Sequence, residues 1–299
     1  MTDWRRATVV IAALSLMPAA AREGQPQSPS VSVAFEARTW QPGEVVSLRV
    51  TTIGTVADLR GSAFGRPVQF YRAGAEGLWR ALIGIDVERT PGPAQVVVEA
   101  LTAEGRVIAR TVQTVKVEPH TFPTRRITVP DEFVNPPASA LPRIAREAKE
   151  VDAILSVVSL DREWDGPLVL PVPGEATSNF GSRSIINGQR RSLHAGVDFH
   201  AATGTPVRAP AGGRIVLVAE HYFAGNVVII DHGLGVFSFL AHLSSFAVKA
   251  GDTVAPGQVV GQSGETGRVT GPHLHWSVRL GGARVDPLSW AYALEHGAR

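Results

Sequence analysis

"GRIVLVAEH" (213–221) and "GNVVIIDHG" (225–233) are two short apolar runs, each opened by glycine and separated by three residues. Runs of this length, rich in Val and Ile and bounded by glycine, read as neighbouring antiparallel strands. The same punctuation continues in "GVFSFLAHL" (235–243), "GQVVGQSG" (257–264) and "LHWSVRL" (274–280). Residues 165–299 therefore read as a β domain of short strands and glycine turns.

Working outward, residues 30–118 alternate in strand fashion. Val31, Val33 and Phe35 fall on one face, and after the "QPGE" turn so do Val46, Leu48 and Val50. Further strands are expected in "LWRALIGIDV" (78–87), "AQVVVEAL" (94–101) and "RVIARTVQTVKV" (106–117). About seven strands at this spacing imply an immunoglobulin-like sandwich, and nothing in it resembles a catalytic cluster. Between the two β regions lies a connector, 119–164, opened by the Pro-punctuated "PHTFPTRRITVPDEFVNPP". Behind Pro142, residues Ile144, Ala148, Val151, Leu155 and Val158 recur at helical spacing, predicting one amphipathic helix of about four turns that acts as an interdomain strut.

Composition agrees with a mainly β protein of two domains: 299 residues, 44% hydrophobic, with 30 Gly and 21 Pro. The absence of cysteine excludes disulfides, thiolate metal sites and a lipid-anchored cysteine, leaving His, Asp or Glu for any metal. Residues 1–21 read as a signal peptide: Arg5 and Arg6, an apolar run from Ala7 to Met17, Pro18, then three alanines ending at Ala21. That run is short against the ~20 residues a membrane span needs, so cleavage is expected, followed by residence in the periplasm or cell envelope without stable membrane insertion. The net charge of +2 suits an anionic partner such as cell wall, but no basic run or aromatic platform selects nucleic acid.

Seven of the nine histidines lie between residues 194 and 275. In an extended segment, side chains at i and i+2 or i+4 share a face, so His194 can converge with Asp198, and His273 with His275. Together with His242, these supply imidazole nitrogens and a hard carboxylate oxygen. Two imidazoles and one carboxylate suit tetrahedral zinc with a fourth position for water, and manganese or cobalt would also suit such a site. His120, His200, His221 and His296 lack a partner at a diagnostic spacing, and His232 in "DHG" reads as a turn histidine.

The pieces "SNFGSR" (178–183), "HAGVDF" (194–199), "GTPVRAPAGG" (204–213), "AHLS" (241–244), "VKAGDTVAPGQVVGQSGETG" (248–267), "TGPHLHWSV" (270–278) and "VDPL" (285–288) follow one another over roughly 120 residues. In this order they resemble the lysostaphin/LytM-type zinc metallopeptidases that cut peptidoglycan cross-links. The resemblance implies an antiparallel, barrel-sandwich-hybrid-like peptidase domain with one zinc per chain. It implies His194, Asp198 and His275 as metal ligands and His242 and His273 as catalytic residues. Which of these two is the base and which stabilises the oxyanion stays open, as does the choice between a Gly-Gly bridge and a D-amino-acid cross-link. Phe239 and Leu240 depart from the family, which commonly has small or tyrosine residues there.

Two other readings are weighed. "APAGGRIVLVAE" followed by "VKAGDTVAPGQVVG" is similar to biotinyl and lipoyl carriers, but Lys249, the only lysine of this half, is misplaced for modification. The second is a latent or silent peptidoglycan-binding activator of the same fold, held or addressed by a protein regulator or by the N-terminal domain. The complete set of five residues favours an active enzyme.

Overall fold

The computed structural model describes residues 28–176 and 180–297. The signal-peptide reading of residues 1–21, and Ser178 and Asn179 of "SNFGSR", lie outside the described residues.

Eight strands build the N-terminal part: β1 (Ser30–Ala37), β2 (Val45–Ile53), β3 (Asp58–Ala63), β4 (Arg66–Val68), β5 (Phe70–Arg72), β6 (Leu78–Gly84), β7 (Gly92–Leu101) and β8 (Val107–Val117). They pair as two four-stranded sheets, in the orders β1-β2-β6-β5 and β4-β3-β7-β8. Alternation makes the sandwich: Val46, Leu48 and Val50 from one sheet and Leu59, Val96 and Val98 from the other turn into a common core. The pattern breaks at Val45 and Leu82, which point the other way and join the core of the C-terminal domain.

That second face welds the two domains. Ser289 Oγ accepts from the Val45 amide at 2.8 Å and donates to Glu44 Oε2 at 2.7 Å. Arg38 spans Glu44 at 2.7 Å and Asp286 at 2.6 Å. At Gly84 an added methyl would stand 2.8 Å from Val285 and 2.9 Å from Ala283, so close approach of the sheets requires glycine there. The sandwich is docked, not merely tethered.

The connector also belongs to the C-terminal side. Its β9 (Thr124–Ile127) runs parallel to β10 (Arg183–Ile186), which pairs with β11 (Gln189–Leu193). Val129 and Val134 pack on Ile186, and the Asn187 amide both donates to and accepts from the Val129 main chain. Helix α1 (Leu141–Leu155) starts with Pro142 in its first turn and ends before Val158. Val151, Ile154 and Leu155 cover Leu217, Val227, Ile229, Phe237 and Ala241, so its apolar stripe lies on the C-terminal sheet.

The C-terminal domain comprises β12 (Gly196–His200), β13 (Pro206–Arg208), β14 (Gly213–His221), β15 (Gly225–Gly233), β16 (Val236–Phe246), β17 (Thr253–Val254), β18 (Val259–Ser263), β19 (His273–Leu280), β20 (Ala283–Val285) and α2 (Pro287–His296). The strands form one antiparallel sheet with main path β12-β19-β16-β15-β14-β17, and this path does not close into a barrel. Among the described residues no helix is long and apolar enough to cross a membrane.

His232 corrects the sequence reading. It lies not in a turn but within β15, fully buried, where Gly213 and Gly233 leave room for the neighbouring chain to approach closely. Its Nδ1–H donates to Gly212 O at 2.6 Å, while Nε2 accepts from Ser238 Oγ at 2.9 Å. Burial pushes its pKa down to about 4, with the Gly212 carbonyl and Asp231 pulling weakly the other way. An unfolded chain takes up this proton near the ordinary ~6.5, whereas the fold resists it until about 4. The stability held by the neutral ring is therefore whole above about 6.5 and is lost as pH falls toward 4, on the order of 3 kcal/mol. We expect the metal-free chain's urea midpoint to fall over that window. The His232 Cε1–H resonance should stay flat from pH 8 to 5, and titration of this proton near 6.5 in the folded chain would contradict the assignment.

Candidate metal centre

Three adjacent strands converge the predicted residues. In the β12–β19 ladder Asp198 faces His275, and in the β16–β19 ladder His275 faces Ala241, the neighbour of His242. His194 sits just ahead of β12, held by main-chain bonds between Gly181 N and His194 O and between His194 N and Ser182 O. His273 and His275, two apart on β19, share a face while Leu274 enters the core. All five residues thus meet at one place.

His194 Nε2, His275 Nδ1 and Asp198 Oδ1 form a triangle with sides of 3.0, 3.2 and 3.0 Å. Zinc bound at ~2.0–2.1 Å in tetrahedral geometry needs donor atoms roughly 3.3 Å apart, so this donor set fits a single small divalent ion with little adjustment. Its protonation fits as well. Burial works against ionisation of Asp198, but hydrogen bonds from His194 and His275 and their proximity outweigh it, and the carboxyl is held well below the usual range. Burial pushes His275 down despite the pull of Asp198. An ionised Asp198 beside a neutral His275 is the state a metal requires of these two donors.

His242 and His273 stand beside this triangle and not within it. Their rings are 4.8 Å apart, and His273 Nε2 is 3.9 Å from Asp198 Oδ1. Each is oriented by a carbonyl: His242 Nδ1–H donates to Thr266 O and His273 Nδ1–H to Gly271 O, both at 2.8 Å. A carbonyl only accepts, so in the neutral form of each ring the proton sits on Nδ1 and Nε2 carries the lone pair. Burial, then the neighbouring His275 and His273, push His242 down to about 3, which keeps it neutral at ordinary pH. Its backbone is also unusual, with φ of 65°, at a bulge where its amide leaves the ladder to bond Ala224 O. A non-glycine residue in this region marks local strain held by its surroundings, and here the turn aims the imidazole at the centre.

Three contributors escaped the sequence. Thr266 and Gly271 act through main-chain carbonyls, for which side-chain identity carries no signal. Gly196 lies behind the His275 ring, where a methyl would stand 2.7 Å from Cε1 and 2.6 Å from Trp276 O. Phe239 and Leu240 lie off the groove: Leu240 is buried in the core and Phe239 lies under the Arg279 guanidinium.

Residues 192–287 match the peptidase family M23. A crystal structure assigned to peptidase M23 from Pseudomonas aeruginosa is 33% identical, with a TM-score of 0.65, and the match covers 85% of this chain and 95% of that one. The chain belongs to peptidase family M23. Other M23-region relatives are the DD-carboxypeptidase/endopeptidase Mpg of Neisseria meningitidis, 48% identical over 117 residues, and the peptidoglycan DD-endopeptidase ShyA of Vibrio cholerae, 42% identical over 113. Each of these matches covers 38% of this chain and 26% of the relative, so the chain spans about a quarter of their length. The Pseudomonas likeness extends well beyond the M23 region, which fits the shared core that joins sandwich and peptidase here.

Proposed function

We infer that this chain is a zinc-dependent endopeptidase that hydrolyses peptide cross-links of bacterial peptidoglycan after export to the periplasm or cell envelope. The observation that carries the reading is the triangle of His194, Asp198 and His275 with two carbonyl-oriented imidazoles beside it. The named activities of ShyA and Mpg support the choice of substrate. The strand orders of the N-terminal sheets support an immunoglobulin-like reading of that domain, whose role would be to hold the peptidase against its substrate.

A divalent metal bound there supplies Lewis acidity toward a carbonyl oxygen and lowers the pKa of water toward ~7. The chain's own groups do the rest. With Nδ1 pinned as a donor, Nε2 of His242 or His273 accepts the proton released by the attacking water. The resulting imidazolium returns it to the leaving amine or hydrogen-bonds the developing oxyanion. His242, held neutral by burial, starts this sequence as an acceptor.

Purified peptidoglycan incubated with the zinc-loaded chain should release uncrosslinked monomers from cross-linked dimers, read by mass spectrometry of soluble products. Chelation or His273→Ala should reduce the yield at least 10²-fold. An intact, zinc-loaded chain that leaves dimers untouched would favour a binding or activating role instead.

A further inference from the structure

The groove over the centre has two arms. One runs over His194 and His242 toward Phe223 and Arg268, and the other over Phe199 and His200 toward Pro272. Among the described residues, Arg125, Asp198, Thr270 and His273 alone line both. They form the neck where a peptide crossing from arm to arm would pass the donor atoms.

Arg125 is the outsider in this group. It comes from β9, in the connector, and none of the peptidase motifs contains it. The parallel ladder of Thr124–Ile127 on Arg183–Ile186 fixes its main chain, so the guanidinium is presented by a sheet and not by a loop. Its Nη1 is 3.6 Å from Asp198 Oδ2, beyond hydrogen-bond range, and its side chain is 39% exposed. Asp198 Oδ1 is already engaged by His194 and His275. Among the described residues Asp198 is the one carboxylate that lines either arm, whereas Arg125 lines both and Arg268 lines one. The neck therefore offers a planar donor fork in a positive groove, a setting that selects a carboxylate.

We propose that Arg125 is a specificity-determining residue that receives a free carboxylate on the residue flanking the scissile amide. The substrate is then an anionic peptide. This rests on the peptidase reading above. The carboxylate could come from a chain terminus or from a side chain, and the guanidinium would recognise both by the same chemistry.

The test uses the full chain and two pairs of synthetic peptides, each a carboxylate and its carboxamide. One pair differs at the terminal α-carboxyl next to the scissile bond, the other at a side chain there. Wild type should favour the carboxylate member of one pair by roughly ten- to a hundred-fold in kcat/KM, the range expected of a charge-assisted hydrogen bond. The responsive pair names the source. In Arg125→Gln the preference should collapse to within about threefold, chiefly through KM, and Arg125→Lys should retain part of it. Calorimetric binding of uncleavable reduced-amide analogues should follow the same ratios, with metal affinity unchanged in both variants.

Cleavage of peptidoglycan by wild type with no preference in either pair would overturn the assignment alone. So would an Arg125→Gln variant in which metal affinity falls and both members lose kcat together, since Arg125 would then only be positioning Asp198. Failure of the metal-loaded chain on peptidoglycan and on all four peptides would overturn the peptidase reading, and this assignment with it.

Discussion

Asp198→Asn is expected to lower metal affinity at least 10²-fold and peptidoglycan hydrolysis by roughly 10³-fold or more, about 4 kcal/mol in the barrier. The change is nearly isosteric, so it removes charge and leaves volume. Asp198 is the one carboxylate among four imidazoles and a guanidinium, and its Oδ1 is a corner of the donor triangle. An amide oxygen there neutralises nothing, and two imidazoles alone hold a divalent ion weakly. His273→Ala should behave differently, retaining the metal while losing activity, because His273 Nε2 stands 3.9 Å from Asp198 Oδ1, outside the donor triangle, and its ring is tied to Gly271 O. Competitive-chelator titration of both variants beside the product assay separates the roles. Full metal affinity in Asp198→Asn would remove Asp198 from the donor set, and equal metal loss in His273→Ala would make that residue a ligand.

Much of this arrangement could be read from the chain alone, for identifiable reasons. The core strands were legible because glycine and apolar runs alternate over β14, β15 and β16, and the helix because its stripe repeats over four turns. The grouping of His273 with His275 follows from the period of a strand, which places both on one face, whereas His194 lies just ahead of β12 and reaches Asp198 because its main chain is bonded to Gly181 and Ser182. That the two pairs meet depends on the β12–β19 ladder, a long-range register that periodicity cannot supply; there the family resemblance carried the reading. Residues that act by position were illegible. Arg125 sits in a segment that composition marks only as a Pro-punctuated connector, yet that segment adds a strand beside β10. Val45 and Leu82 are apolar on the face opposite the sandwich core because that face is buried by another domain. This docking also bears on truncation. Removing residues 22–135 would take away Arg125, Ile127 and Val129 from the groove wall along with the sandwich. It would also strip cover from Val285 and Ser289, so activity lost on truncation is expected from the exposed domain seam alone.

Gly196→Ala is expected to cost nearly as much as loss of a ligand, although the substitution adds one methyl group outside the donor set. That methyl would lie 2.6 Å from Trp276 O, 2.7 Å from His275 Cε1 and 2.8 Å from His275 Nε2. The carbonyl cannot retreat, because Trp276 lies on β19, which is paired on both sides, with β12 at Val197 and with β16 at Leu240. The imidazole is the part that can move, and it can only move toward the groove, displacing Nδ1 from its 3.0 Å contacts with His194 and Asp198. Overpacking of this kind typically costs about 1–3 kcal/mol of stability, and loss of support behind a ligand imidazole about 10–100-fold in metal affinity. We expect both, with hydrolysis at limiting zinc reduced about 100-fold and partly restored by excess metal. Gly271→Ala is the matched control for affinity, since a methyl there meets nothing within 4 Å. Chelator competition and urea unfolding on the two variants decide the matter. If Gly196→Ala binds zinc as tightly as Gly271→Ala, the His275 ring does not depend on the space behind it, and the glycine of "HAGVDF" answers to the strand and not to the metal.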